Sequence, residues 1–152
     1  EKLKAGNPAP AFEATDQDGN KRTLADYAGR KLILYFYPKD NTPGCTAEAC
    51  SLRDGRDTLR RMGFEVVGVS PDSEKSHQGF IAKQGLNFTL LADTDKKIAE
   101  AYGVWGEKKF MGRTFMGILR TTFVIDEQGV IEKIFDKVRT KDHFEQIVEA
   151  YQ

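Results

Sequence analysis

Residues 31–37, KLILYFY, constrain the fold more than any other stretch. After Lys31 every side chain is aliphatic or aromatic, with no polar residue at alternate positions. A strand with one wet face would alternate, so this one reads as buried on both faces. It therefore needs helices above and below it, which places the chain among α/β folds.

The segments around it agree. AFEATDQDGNKRT, 11–23, reads as a short hairpin around Asp18-Gly19-Asn20. From Thr46 the pattern turns helical through AEACSLRDGRDTLRRM. Ala49, Leu52, Leu59 and Met62 offer an apolar stripe that Gly55 weakens. FEVVGVS, 64–70, is a second strand, and Ser73 is a suitable N-cap for the helix EKSHQGFIAKQ. FTLLAD, 88–93, reads as a short strand, and DKKIAEAYG as a helix closed by Gly103. TTFVID and VIEKIF form a hairpin around 127–129. The amphipathic segment from Asp142 to Tyr151 ends the chain, with Phe144, Ile147, Val148 and Tyr151 on one face. Strand–helix–strand units followed by a hairpin predict a central mixed β-sheet flanked by helices, as one domain over residues 1–152.

Charge and composition remove several classes of function. The 23 basic and 23 acidic side chains balance, so nothing points to nucleic acid or an anionic membrane. No apolar run approaches the roughly 20 residues that span a bilayer. The N-terminal EKLKAGNPAPAF is polar and lacks a signal-peptide core. Two cysteines with His77 and His143, scattered along the chain, match no metal-ligand spacing. Both histidines fall on predicted helices away from the cysteines and read as surface residues. Trp105, Phe110, Phe115 and Met116 fall in a Gly-rich loop, 103–117, and read as cover for the core rather than a substrate entrance.

The chemistry concentrates in YPKDNTPGCTAEAC, 37–50, which holds both cysteines. Cys45 follows a buried strand and a Pro-rich turn, at the start of a helix. Ligands in open α/β sheets gather at the carboxyl ends of strands. Unpaired N–H groups and the macrodipole at a helix N-terminus stabilise an anion, and the thiolate is the reactive form of cysteine. Thr42 offers a hydroxyl three residues earlier, and Pro38 and Pro43 stiffen the loop. A cysteine is more often a small buried hydrophobe. The turn and helix start argue against that for Cys45, whereas Cys50 alone would pass for a core residue. On one intact helix, residues five apart have Cα atoms roughly 8.6 Å apart and point about 140° apart. A disulfide requires about 7 Å or less, so bonding Cys45 to Cys50 would require the helix to unwind.

At these residues the chain resembles the peroxiredoxins, and among them the bacterioferritin comigratory protein or peroxiredoxin Q subfamily. Pro38-Lys-Asp-Asn-Thr42-Pro-Gly-Cys45 follows the family's active-site pattern, and the match continues through Cys50. It extends through GVSPDS, LLAD, AYGVWGEK and RTTFVID, and covers essentially the whole chain from Gly6. The resemblance implies a thioredoxin-like fold with an N-terminal β-hairpin, and reduction of hydrogen peroxide or organic hydroperoxides without metal or organic cofactor. It implies that Cys45 is the peroxidatic cysteine, that Thr42 hydrogen-bonds thiolate and peroxide, and that Pro38 shields the site. Arg120 matches the active-site arginine, and Cys50 the resolving cysteine. Glu48 is a candidate partner for Arg120, and the N–H groups near Gly44 are candidate donors. Thioredoxin or glutaredoxin is the implied reductant, in a cytoplasmic monomer. A disulfide oxidoreductase, a redox sensor and a binding domain with incidental thiols are the competing readings. The absence of CxxC weighs against the first of these.

Overall fold

The computed structural model describes residues 2–152. Strand β3, Lys31–Phe36, lies inside a seven-stranded sheet. It pairs in parallel with β4, Phe64–Ser70, and antiparallel with β8, Thr121–Ile125. On one side the sheet continues through β5, Thr89–Ala92, to the hairpin of β1, Glu13–Asp16, and β2, Lys21–Thr23. On the other it ends with β9, Ile131–Phe135. The order is β2-β1-β5-β4-β3-β8-β9, mixed as expected.

The run at 31–37 is buried on both faces. Leu32, Leu34 and Phe36 enter one apolar cluster, with Ile98 and Ala99 of α4, Lys97–Ala101. Ile33, Tyr35 and Tyr37 enter the other. That second cluster is covered by α1, Pro43–Asp54, α2, Arg56–Arg61, α3, Glu74–Gln84, and α5, His143–Glu149. Each local signal has a physical counterpart. The Ser73 hydroxyl accepts the Ser76 N–H at the start of α3, a cap worth about 1 kcal/mol. Gly103 takes a φ of 71° just past α4, where a Cβ would be strained.

Three expectations need correction. The helical stretch after Thr46 is two helices, broken at Gly55, where a Cβ would stand 2.1 Å from the Phe144 ring. Met62 lies beyond α2 and is exposed, so it leaves the stripe that Ala49, Leu52 and Leu59 form. The supposed loop at 103–117 is largely a hairpin, β6, Trp105–Phe110, with β7, Arg113–Ile118. Trp105 packs against the first cluster, but Phe110, Phe115 and Met116 are exposed and cover no core.

Candidate active site

The loop from β3 to α1 carries the first candidates. Asn41 takes a left-handed φ of 64°, which Asn tolerates better than most residues. The chain thereby turns so that Thr42 becomes the N-cap of α1, Pro43 opens the helix, and Cys45 falls in its first turn. Pro43 has no N–H to leave unpaired. The N–H groups of Gly44 and Cys45 lack intrahelical acceptors by their position and are available to an anion.

The Cys45 thiol is buried and faces Arg120, which precedes β8. Arg120 Nη2 donates to Cys45 Sγ at 3.3 Å, and Nη1 donates to Glu48 Oε1 at 2.5 Å. Gly44 belongs to the same packing, because a Cβ there would lie 3.3 Å from Arg120 Nη2. Burial opposes the charge on Arg120, but the Glu48 and Cys45 anions outweigh it and raise the guanidinium further. For Glu48 burial dominates: despite Arg120, its carboxyl is pushed up to about 7.

Other candidates stand apart from this group. The Thr42 hydroxyl donates to Lys39 O at 2.8 Å, so its single proton is not directed to the sulfur. Its lone pairs can still accept. Pro38 is half-buried on the connecting loop. Cys50 lies on the same intact helix as Cys45, and both are free thiols. The Cys50 thiol donates to Gln84 Oε1 at 3.6 Å, at the end of α3, away from Arg120.

Both histidines are fully buried, not on the surface. His77 joins the motif loop through Asp40. Asp40 accepts from Tyr37 Oη at 2.6 Å and Ser76 Oγ at 2.8 Å, and lies 2.7 Å from His77 Nδ1. Burial pushes the Asp40 carboxyl up, but the hydrogen bonds from His77, Tyr37 and Ser76 outweigh it and hold it below its ordinary value. Asp40 N–H donates to Asp72 at 2.8 Å, and His77 Nε2 lies 2.9 Å from Leu91 O. This cluster ties the loop to α3 and β5. Asp40, Asp72 and His77 are close enough to share an ion, but both Asp40 oxygens, both His77 nitrogens and Asp72 Oδ2 are already engaged.

His143 stands directly behind Glu48. Its Nε2 is 3.7 Å from Glu48 Oε2 and 2.8 Å from Thr122 Oγ1. Its Nδ1 is 2.8 Å from Gln146 Oε1. Burial is the main force holding the imidazole down to about 4, aided by Arg120 and Arg139. A signal for both residues existed in the helical period. His77 lies three residues before Phe80, and His143 four before Ile147, on the buried stripes of their helices.

The arrangement can hold an anionic sulfur and present it, beside fixed hydrogen-bond donors, to a small electrophile. Known proteins match the chain over most of its length. The AhpC/TSA family matches residues 5–134. The chain is 51% identical over 147 residues to a putative peroxiredoxin bcp of Haemophilus influenzae, covering 97% of this chain and 95% of that one. It is 48% identical to peroxiredoxin Bcp of Escherichia coli K12, covering 96% and 94%. A Xanthomonas campestris bacterioferritin comigratory protein superposes with a TM-score of 0.89 at 35% identity, covering 97% and 96%. A cysteine-to-serine mutant of Xylella fastidiosa PrxQ does so at 0.92 and 32%, covering 99% and 96%.

Proposed function

This chain belongs to the AhpC/TSA family and is a thiol peroxidase, and from that premise we propose that Cys45 is the thiol that reduces the hydroperoxide. The observation that carries the proposal is the Arg120 Nη2–Cys45 Sγ contact of 3.3 Å, at a helix N-terminus with unpaired N–H groups. The thiolate attacks the terminal oxygen of R–O–OH. The S–O bond forms as the O–O bond breaks, and the electron pair leaves on the alkoxide, which takes a proton to become the alcohol. Arg120 and the N–H groups of Gly44 and Cys45 stand beside the sulfur, where they oppose charge developing on oxygen. Thr42 Oγ1 accepts a hydrogen bond from the hydroperoxide O–H, and Pro38 limits access by water. Relief of charge on a leaving alkoxide suits organic hydroperoxides as well as hydrogen peroxide. The Xanthomonas campestris relative has been studied for its alkyl peroxide reduction activity.

Cys50 resolves the sulfenic acid. Its thiolate attacks the Cys45 sulfur, the S–S bond forms as the S–O bond breaks, and the departing hydroxide takes a proton to become water. An external dithiol, of the thioredoxin or glutaredoxin class, then returns both cysteines to thiols by exchange. Both cysteines lie in one chain, so a monomer suffices. No helix among the described residues is long and apolar enough to cross a membrane. A cytoplasmic thioredoxin is the partner that suits this chemistry.

Stopped-flow fluorescence of the reduced protein mixed with hydrogen peroxide, with mass spectrometry of quenched samples, tests the whole scheme. Wild type should react rapidly and end in a Cys45–Cys50 disulfide. Cys45→Ser should not react. Cys50→Ser should react once, stop at sulfenic acid and lose most thioredoxin-driven turnover. A reaction indifferent to Cys45 would refute the nucleophile, and full turnover by Cys50→Ser would refute the resolving thiol.

A further inference from the structure

Glu48 Oε2 is fully buried yet has no hydrogen-bond partner. A buried carboxylate oxygen left unpaired is costly, whereas a protonated carboxyl with an acceptor nearby is not. A candidate acceptor is His143 Nε2, 3.7 Å away. Its protonation state follows from neighbouring bonds. Gln146 Oε1 accepts the Arg139 N–H at 3.0 Å, and Gln146 Nε2 donates to Lys137 O at 3.0 Å, which fixes the amide orientation. The group facing His143 Nδ1 is therefore a carbonyl oxygen, so Nδ1 must carry the proton. Nε2 is then a lone pair. It receives the Thr122 hydroxyl and also faces Glu48.

We propose that His143 is a positioning residue for the peroxidase: its single Nε2 lone pair is contested by Thr122 and a Glu48 proton, and the outcome decides whether Arg120 serves two anions or the Cys45 sulfur alone. With Glu48 ionised, the one guanidinium is divided between carboxylate and thiolate. With Glu48 protonated on Oε2, closure of the 3.7 Å gap gives that proton an acceptor, and the positive charge is left to Cys45. Near-neutral titration is consistent with this, since burial brings the carboxyl up to about 7.

The groups facing Glu48 are Cys45 on its own helix, Arg120 ahead of β8, His143 on α5 and the phenol of Tyr35 on β3. Tyr35 is kept neutral by burial. Arg120, Arg139 and Asp142 act in turn on His143. Tyr35 Oη is also buried without a partner, and His143 Nε2, 3.7 Å from Glu48 Oε2, is the neutral lone pair that a second donor contests.

This inference rests on the reading of Cys45 as the peroxide-reactive thiol. Its test is the pH profile of sulfenic acid formation in a single turnover, beside infrared titration of the protonated Glu48 carbonyl. The band is assigned by its loss in Glu48→Gln. Wild type should show a rate that falls as Glu48 ionises, a limb absent from Glu48→Gln. His143→Asn keeps a donor toward Gln146 but removes the distant acceptor. Its limb and infrared midpoint should move to lower pH by about half to one unit, the effect of one ordinary hydrogen bond. Thr122→Val removes the competing donor, and both readouts should move upward by a similar amount. Opposite shifts support the switch. Folded variants whose infrared midpoints coincide with wild type overturn it. Should His143→Asn fail to fold, an unmoved midpoint in Thr122→Val overturns it alone. A wild type that forms no sulfenic acid refutes the Cys45 reading instead, and the infrared midpoints still decide this one.

Discussion

Arg120 illustrates how far a residue's role depends on what meets it. A charged side chain before a strand is ordinarily exposed. Here it spans Glu48 and Cys45, two residues three apart on the first turns of α1. Only the family resemblance pointed to Arg120 in the sequence, while helix spacing puts Cys45 and Glu48, three apart, on one face. His143 was not legible as part of this group. Its approach to Glu48 joins positions 95 apart in the chain, and periodicity within a helix says which residues are buried but not what they meet. Replacing Arg120 by Ala should slow sulfenic acid formation by about 10² to 10³, the usual effect of removing one donor aimed at developing charge. The Cys45 and Glu48 anions would then face each other without a cation, so the loss should be largest at high pH. Stopped-flow traces between pH 5 and 9 would measure this, and a rate matching wild type would remove Arg120 from the mechanism.

Elements were more legible than their junctions. Strand β3 was evident from its unbroken apolar run, and the β8–β9 hairpin from a turn between two strand-like segments. The β6–β7 hairpin was hidden, because Met111-Gly112 forms its turn with φ of 53° and 76°, a role more usual for Asn-Gly. Phe110, Met111, Phe115 and Met116 also face solvent, so no burial pattern marks its outer part. Helix α1 has a division that no local signal reveals. Its second half is held by α5, where Phe144 N–H donates to Ser51 Oγ at 3.0 Å and the Phe144 ring covers Gly55. From α3 it is held by Arg53 donating to Gln84 O at 2.5 Å. Residues 43–50, which hold both thiols, are tied instead through Cys45, Glu48 and Cys50, and disulfide formation removes the contacts of both sulfurs. Joining Cys45 to Cys50 should therefore unwind residues 43–50 and stop near Ser51. Hydrogen exchange of the oxidised protein should show lost protection through Asp54, whose amide acceptor lies in the unwound turn, and retained protection from Gly55, whose N–H donates to Ser51 O. Loss that extends through Gly55 into α2, or none at all, would contradict this division.

The molecule as a whole places two shifted groups back to back, and their effects on stability oppose each other. Glu48 is raised from an ordinary 4.5 to about 7, so between those values the native chain binds a proton that the unfolded chain does not. Its contribution falls as pH rises through that window. His143 is lowered from 6.5 to about 4, so there the unfolded chain binds the extra proton, and its contribution falls as pH drops. Each shift corresponds to on the order of 3 kcal/mol. The windows overlap between 4.5 and 6.5, where the two slopes cancel. Wild type should therefore show a nearly flat contribution from this pair there, followed by a small loss toward pH 7 as Glu48 ionises. Glu48→Gln removes one side of the balance. Its stability should fall steeply as pH drops from 6.5 to 4.5, by about 2 to 3 kcal/mol more than wild type over the same interval. Urea unfolding at half-unit steps of pH would resolve the difference. Parallel curves for the two proteins would mean that Glu48 and His143 do not titrate against each other in the folded chain.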